Sequence, residues 1–241
     1  MSRTGTQPSQ DGIRQQGSRA VQGLTAVSMM FGRGAAARTV AGLAGLTGDD
    51  RVVDVGCGPG TAVREAARHA AAATGVDPDA ASLALARWIS ARRRARNVTW
   101  LEGRAEHLPL PDDCATVVWA LSSVHHWPDR ITGFAEAHRV LAGGGRILIA
   151  ERLVRAGARG HAAHGLTPAQ AGQVAEEMAA AGFTGIRTQT SRARRRVLII
   201  IEARRGPAGE GGPAGEAGPA GEAGPAGRLA GKLPVTDASR R

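Results

Sequence analysis

Apolar and polar positions along this chain follow two different periods, which divide its middle part into alternating elements. Seven short runs that contain apolar residues predict strands, and the first of these strands is expected to be buried. These runs cover residues 51–56, 73–77, 97–101, 115–120, 146–151, 183–190 and 196–203. Apolar residues recur with helical spacing over residues 20–46, 61–73, 80–96, 131–141 and 167–182. We therefore predict strands and helices in alternation.

The order of these elements predicts the fold class. Strands that alternate with helices favour a parallel sheet with helices on both faces. The last two strands follow each other closely and predict an antiparallel hairpin. We expect an α/β fold with a doubly wound, seven-stranded, mostly parallel sheet that ends in this hairpin. A ligand crevice is expected outside the carboxyl ends of the strands, beside the first strand.

Composition separates this predicted domain, residues 21–205, from two tails. Residues 1–20 are polar and rich in Gly, Ser and Gln, which predicts a disordered tail. In residues 206–241, Gly occupies every third position from Gly206 to Gly227, a collagen-like register. Because so few triplets make a marginal triple helix, we expect a disordered tail here too. A trimerising stalk is the alternative.

Most of the net charge of +10 lies in the predicted domain, because acidic and basic residues balance in the Gly-rich tail. Arginines concentrate in residues 87–96 and 187–205. They form either a solvated basic face or a surface for polyanions. Aromatic residues that could stack on bases do not interleave with them, which favours the solvated face. Nucleic acid is therefore not the favoured partner.

Composition also excludes several kinds of protein. The chain has two Cys and no CxxC pair, so we predict neither a disulfide framework nor a metal site. The apolar runs are far shorter than the roughly 20 residues of a membrane-spanning helix. The N-terminus lacks the apolar core of a secretory signal. These features predict no membrane span and a cytoplasmic location.

A glycine-rich loop after the first strand carries the clearest chemical indication. Asp54 lies near the end of that strand, and Gly56, Gly58 and Gly60 follow as G-x-G-x-G. Glycines let the backbone turn sharply and approach a ligand closely. The loop differs from the dinucleotide pattern G-x-G-x-x-G, because its third Gly comes one residue early. By itself the loop indicates a nucleotide-like cofactor on a doubly wound sheet.

Later segments extend this pattern. Asp77 ends the second strand, and further motifs occupy residues 103–113, 122–129 and 139–151. In order and spacing they resemble the class I S-adenosylmethionine-dependent methyltransferases, in particular the subgroup that includes the ubiquinone/menaquinone C-methyltransferases. The resemblance spans about residues 46–151. It implies a Rossmann-like fold, S-adenosyl-L-methionine as cofactor, and methyl transfer to a C, O or N atom of a small-molecule metabolite.

The resemblance also implies roles for individual residues. The glycine loop would face the methionine end of the cofactor, and the Asp77 carboxylate would accept hydrogen bonds from the ribose hydroxyls. Arg104 and Ala105 would border the adenine, and Leu121 would lie near the methyl donor. The cofactor-binding residues implied in this way are Asp54, Gly56, Gly58, Pro59, Gly60, Asp77, Pro78, Arg104, Ala105 and Leu121.

Three ring side chains after the fourth strand are candidates for the acceptor side. An imidazole titrates near pH 6.5, so His125 or His126 could accept a proton from a methyl acceptor that must lose one. Packing or a lid role is the alternative for both. Trp127 is a candidate lining residue of an apolar substrate pocket, with core packing as its alternative.

The sequence departs from the family pattern at three residues. Arg104 stands where the family usually has Asp or Asn, and a guanidinium cannot accept a hydrogen bond from the adenine amino group. Ala115 and Thr116 replace a frequent Phe-Asp pair. These departures leave open a weakly active or inactive fold that acts as an interaction protein. A nucleic-acid-directed methyltransferase and a nicotinamide oxidoreductase are further alternatives.

Overall fold

The computed structural model describes residues 33–207 together with residues 235 and 236. The predicted N-terminal tail and nearly all of the Gly-rich tail lie outside the described residues. The described strands are β1 (Arg51–Val55), β2 (Ala72–Asp77), β3 (Val98–Glu102), β4 (Ala115–Leu121), β5 (Leu141–Arg152), β6 (Thr184–Ala193), β7 (Arg196–Arg204) and β8 (Val235–Thr236). The described α-helices are α1 (Arg33–Ala44), α2 (Thr61–Ala66), α3 (Ala80–Arg92), α4 (Arg130–Val140) and α5 (Pro168–Ala180). Short 3-10 helices occupy Val124–His126 and Gly160–Ala163.

The strands form one sheet in the order β3-β2-β1-β4-β5-β7-β6-β8. Strands β1 to β5 pair in parallel, whereas β7 runs antiparallel to both β5 and β6. The predicted α/β class and the C-terminal hairpin are therefore confirmed. The two-residue β8 pairs with β6 and adds to the seven predicted strands. The strand order reverses beside β1, which is where a doubly wound sheet forms its ligand-binding crevice.

The helix predicted over residues 61–73 is wrong at its C-terminal end, because α2 stops at Ala66. The Asn97 side-chain amide donates hydrogen bonds to the carbonyl oxygens of Ala67 and Ala70, at 2.9 and 3.1 Å. The residues that follow enter β2 and pair with β1. Alanine favours a helix, but pairing within the sheet overrides that local preference.

Two other boundaries also differ from the prediction. β5 begins at Leu141, five residues earlier than the predicted strand, because Leu141 already pairs with Ala115 ahead of a register shift. The helix predicted over residues 80–96 ends at Arg92, and Arg94 has a φ of 55°, outside the helical region. Neither difference moves the carboxyl ends of the strands.

Helices cover both faces of the sheet. On one face, Phe134 of α4 and Met178 of α5 belong to a continuous apolar core. On the other face, Val63 of α2 and Leu83 of α3 pack in a second core with Trp119, whose side chain is fully buried. Burial of one such side chain contributes about 1.5–3 kcal/mol. In the described part of the chain, no helix has the length and apolar character needed to cross a bilayer.

Candidate active site

A cavity of about 310 Å³ opens at the edge of the sheet where the parallel strands end. This size lies at the lower end of the range for small-molecule sites. Its lining residues are Val55, Gly56, Gly58, Pro59, Asp77, Pro78, Ser82, Gly103, Arg104, Ala105, Glu106, Ser122, Ser123, His126, Trp127 and Pro128. The topology thus joins the segments that follow β1, β2, β3 and β4 in one concave surface.

Most residues predicted for the site line this cavity. They are Gly56, Gly58, Pro59, Asp77, Pro78, Arg104, Ala105 and His126. Asp54 and Leu121 instead line an adjoining space of about 20 Å³, which shares Gly56 and Ser122 with the larger cavity. Gly60 and His125 are not among the residues that line either space.

The glycine loop is held by backbone hydrogen bonds and by tight packing. The amide groups of Gly56 and Cys57 both donate to the carbonyl oxygen of Val76 in β2, at 2.8 and 3.1 Å. Gly60 has a φ of 73°, and a Cβ at this position would lie 2.0 Å from the Trp100 ring. Gly60 therefore serves the close packing of the loop against β3 rather than the cavity wall.

Arg64 in α2 and Cys57 within the loop help to hold the glycine loop in place. The Arg64 guanidinium donates to the carbonyl oxygen of Pro59 at 2.8 Å, and burial lowers the pKa of Arg64 to about 10. Burial raises the pKa of the Cys57 thiol far above its usual range, with smaller contributions from the Asp54 and Asp77 carboxylates. A thiol that stays protonated is a small packing residue and not a nucleophile.

Asp77 joins the glycine loop to the end of β2. Its buried carboxylate accepts the amide of Gly58 at 2.7 Å on Oδ2 and the amide of Asp79 at 2.9 Å on Oδ1. Each carboxylate oxygen can accept more than one hydrogen bond, so both keep capacity toward the cavity. Asp77 therefore fixes the loop geometry as well as presenting an acceptor, a structural role that its position in the sequence did not indicate.

The segment after β3 forms another wall of the cavity. Arg104 and Ala105 line it, and Glu106 adds a carboxylate beside them. Oε1 of Glu106 accepts the Asp129 amide at 3.2 Å, which ties this wall to the segment after β4. Sequence analysis missed Glu106 as a lining residue, although it directly follows two residues that the family resemblance singled out.

The backbone after β4 turns sharply at the cavity. Ser122 has a φ of 52°, which is uncommon for a residue with a side chain, and its amide donates to the Ala150 carbonyl at 2.8 Å. Such strained positions cost about 1–3 kcal/mol and cluster at functional sites. Next to it, the Ser123 hydroxyl accepts the indole N–H of Trp127 at 3.0 Å. Trp127 both lines the cavity and contacts the ring of Phe134.

The two histidines predicted as proton acceptors differ in their surroundings. His126 is exposed and lines the cavity. His125 is mostly buried, and its Nδ1 lies 2.9 Å from Oε2 of Glu151, a side chain without solvent exposure. The other oxygen of Glu151 accepts the Ser123 amide at 2.8 Å. Sequence analysis missed Glu151. Its position at the end of the fifth predicted strand, where ligand crevices form, is the signal that could have indicated it.

Comparison with known proteins identifies the domain. A family model described as "Methyltransferase domain" matches residues 53–149, which contain the glycine loop, Asp77 and the segment after β4. Residues 53–149 therefore match the methyltransferase domain family. The family resemblance predicted from the motifs is therefore confirmed.

Relatives of this methyltransferase domain match it over less than half of their own length. The chain is 35% identical over 117 residues to 27-O-demethylrifamycin SV methyltransferase of Amycolatopsis mediterranei, a match that covers 48% of this chain and 43% of that protein. It is 36% identical over 118 residues to demethylmenaquinone methyltransferase of Tropheryma whipplei, covering 47% of this chain and 46% of the relative.

Solved structures with the same fold include a SAM dependent methyltransferase from Aquifex aeolicus. Its TM-score is 0.59 at 17% identity, over 70% of this chain and 88% of that one. The [4+2]-cyclase SpnF has a TM-score of 0.60 at 23% identity, over 70% of this chain and 80% of that chain. At these identities the likeness concerns the fold alone. Since one neighbour is named a cyclase, the function must be argued from the site.

Proposed function

We propose that this chain transfers the methyl group of S-adenosylmethionine to a C, O or N atom of a small-molecule metabolite. The observation that carries the proposal is the joint placement of the glycine loop and the Asp77 carboxylate on one cavity wall. Both lie within the segment that matches the methyltransferase family. The named activities of the two relatives, on a rifamycin and on a menaquinone precursor, support a small-molecule acceptor.

The residues at the cavity fit a nucleoside-type cofactor. Asp77 offers carboxylate oxygens to ribose hydroxyls, and such a carboxylate disfavours a 2′-phosphate. Pro78 and Ala105 add apolar surface for an adenine ring. Arg104 cannot accept a hydrogen bond from the adenine amino group, but the Glu106 carboxylate beside it can. We therefore assign the acceptor role at the adenine end to Glu106.

Alignment of the reactants is the main task of this domain. A sulfonium group supplies an already activated methyl, which leaves by in-line displacement when a nucleophilic atom approaches it. Residues that hold the two reactants in line can lower the barrier by about 7–11 kcal/mol through proximity and orientation. Trp127 and Pro128 on the cavity wall would exclude water from the acceptor side.

A proton acceptor is needed only when the methyl acceptor must lose a proton. Of the two histidines after β4, His126 lines the cavity and His125 does not. We therefore assign this role to His126, with His125 and Glu151 beside it as positioning residues.

Calorimetric titration of the full chain with S-adenosylmethionine tests the cofactor assignment. We expect the wild type to bind and Asp77→Ala to bind about 10–100-fold more weakly, since hydrogen bonds to a charged group contribute about 1.5–3 kcal/mol. Asp49→Ala is the matched control, because Asp49 is exposed and precedes β1. No binding by the wild type, or unchanged binding by Asp77→Ala, would refute the proposal.

Asp77 also accepts the Gly58 amide, so loss of binding could follow from a disturbed loop. Asp77→Asn separates the two effects, because it keeps one side-chain oxygen as an acceptor. We expect its affinity to lie between those of the wild type and Asp77→Ala. Cooperative thermal unfolding of both variants shows that they fold.

The acceptor class needs a separate measurement. A screen of candidate metabolites for a mass gain of about 14 Da identifies a methylated product and distinguishes transfer from cofactor binding alone. Competition by NAD would point to an oxidoreductase. Steeply salt-dependent binding to RNA or DNA would instead favour a nucleic-acid substrate. In the described part of the chain, three arginines of the basic clusters already bond to the protein itself: Arg87 to the Trp100 carbonyl, Arg204 to the Gly144 carbonyl and Arg205 to Asp113.

A further inference from the structure

Three histidines from two separate segments meet beside the cavity. His125 and His126 belong to the 3-10 helix after β4, and His164 belongs to the segment between β5 and α5. One ring nitrogen from each can be chosen so that all three lie within 4.8 Å of one another. The ring centre of His164 lies 5.8 Å from that of His125 and 5.7 Å from that of His126.

We propose that His125, His126 and His164 bind a divalent transition-metal ion of the zinc type. Neutral imidazole nitrogen is a preferred ligand of Zn²⁺, and three histidines with one open position form a known catalytic ligand set. This site does not depend on the proposed methyl transfer. It was not predicted from the sequence, where the low cysteine count indicated no metal site.

His125 is already oriented as a metal ligand. Its Nδ1 faces the buried Glu151 carboxylate, which fixes the ring and leaves Nε2 as the free coordinating atom. Nε2 is shielded from solvent and has no hydrogen-bond partner among the described residues. A carboxylate behind a histidine is the usual outer support of a metal site, and it also increases the basicity of the ligand. The negative charge of Glu151 would further offset the charge of the cation.

His164 is held in place by its neighbours in the chain. Leu166 donates its amide to the carbonyl oxygen of Arg152 at 2.9 Å and accepts the Val154 amide at 3.0 Å. Gly165, which lies between His164 and Leu166 in the chain, has a φ of 144°, and a Cβ there would lie 2.1 Å from the Arg152 carbonyl oxygen. This close approach of the two backbones fastens the segment to the end of β5. It brings His164 to the histidine pair.

The observed spacing requires a modest contraction on binding. Tetrahedral zinc with bonds of about 2.1 Å to nitrogen separates its ligand atoms by about 3.4 Å. Each pair of nitrogens must therefore approach by up to about 1.4 Å from the 4.8 Å limit. His126 and His164 are exposed, so rotation of their side chains can supply this movement without a change of the backbone.

A bound metal would change the role of His126. A nitrogen that coordinates a metal cannot accept a proton, so the metal-bound protein would lack His126 as a base. Because His126 lines the cavity, the open coordination position would be available to an oxygen atom of the acceptor.

Metal titration of the untagged, full-length protein tests the site. We expect the metal-free wild type to take up one equivalent of Zn²⁺ in competition with a chromophoric chelator. Co²⁺ should give the visible absorption of a tetrahedral complex. His125→Ala and His164→Ala should each lose this uptake and this absorption. His69→Ala is the matched control, because His69 follows α2, lies 3.7 Å from the Glu65 carboxylate and is not part of the histidine cluster.

A conservative variant tests the site with little risk to the fold. Glu151→Gln keeps the size of the side chain but removes its charge, and we expect a 10–100-fold loss of Zn²⁺ affinity, as for other outer-shell partners. Cooperative unfolding of every variant confirms that it folds. No uptake by the wild type, or equal uptake by wild type and His164→Ala, would overturn the proposal. Titration with S-adenosylmethionine is a separate readout, so failure of the metal site and failure of the proposed function are distinguishable.

Discussion

Two walls of the cavity are built by different means. The wall after β1 and β2 is held mainly by backbone groups, as when the amides of Gly56 and Cys57 bond to β2 and the Gly58 amide bonds to Asp77. The wall after β4 is held by side chains from distant parts of the chain, as when His125 pairs with Glu151 at the end of β5. Both walls lie within the segment that matches the family, residues 53–149, whereas Glu151 and His164, which adjoin the second wall, lie beyond it.

This difference separates what the fold requires from what is particular to this chain. A loop that must hold a nucleoside close to the backbone can be built from amides and glycines, because every residue supplies an amide. Selection of an acceptor requires particular side chains, because the backbone is the same for any substrate. We therefore expect changes in the first wall to affect cofactor binding and changes in the second wall to affect the acceptor and the metal.

The largest effect is expected at the glycine loop. Gly60→Ala puts a Cβ against the Trp100 ring at a φ of 73°. Overpacking costs about 1–3 kcal/mol and the left-handed backbone about 1–2 kcal/mol. We expect a loss of about 2–5 kcal/mol in the free energy of unfolding, measured in denaturant.

The same substitution elsewhere is the control for Gly60. Gly172 lies exposed in α5, where an added Cβ would meet no described atom within 4 Å. Gly172→Ala should stabilise the protein by about 0.5–1 kcal/mol. Equal effects at the two glycines would show that the first wall is not held by tight packing.

A smaller effect is expected at the amino-terminal end of β1, away from both walls. Burial disfavours the charge of Asp50, but hydrogen bonds from Arg146 and Thr116 outweigh it and lower the pKa of Asp50 to about 2. A carboxyl group with a lowered pKa stabilises the fold above its unfolded value of 3.8, and this contribution is lost as the pH falls through about 2. Asp50→Asn should therefore cost about 2 kcal/mol at pH 7.

The pH dependence of unfolding checks this assignment. The difference in stability between wild type and Asp50→Asn should be full at pH 7 and shrink as the pH falls from about 4 toward 2. S-adenosylmethionine binding should stay unchanged, because Asp50 lies at the start of β1 and the cavity lies at its end. A pH-independent difference would mean that the effect comes from shape and not from charge.

The smallest effect is expected in the segment after β3, where we propose that the adenine binds. Arg104→Asn introduces an amide oxygen at a residue where the family usually has Asp or Asn. One added hydrogen bond contributes about 0.5–1.5 kcal/mol, so we expect roughly three- to tenfold tighter S-adenosylmethionine binding by calorimetry. Unchanged affinity would indicate that Glu106 already satisfies the adenine, and Glu106→Ala, which removes this acceptor, would then weaken binding in the same titration.

Sequence patterns predicted the first wall better than the second. The strand that ends at Val55 and the glycines after it follow from local rules, because apolar periodicity and backbone sterics act over a few residues. The end of α2 escaped prediction, since Asn97 bonds to Ala67 and Ala70 from 27 or more residues away. No local pattern contains such a contact.

Patterns along the sequence were sufficient to predict the α/β fold class, the glycine loop, the acid at the end of β2 and the family to which they point. These features depend on residues that are close together in the chain. Only the tertiary structure decided that His126 faces the cavity while His125 is held by Glu151, and that His164 joins them. Those relations depend on where the ends of β4 and β5 lie in the sheet, because pairing of strands brings together residues that the chain itself keeps far apart.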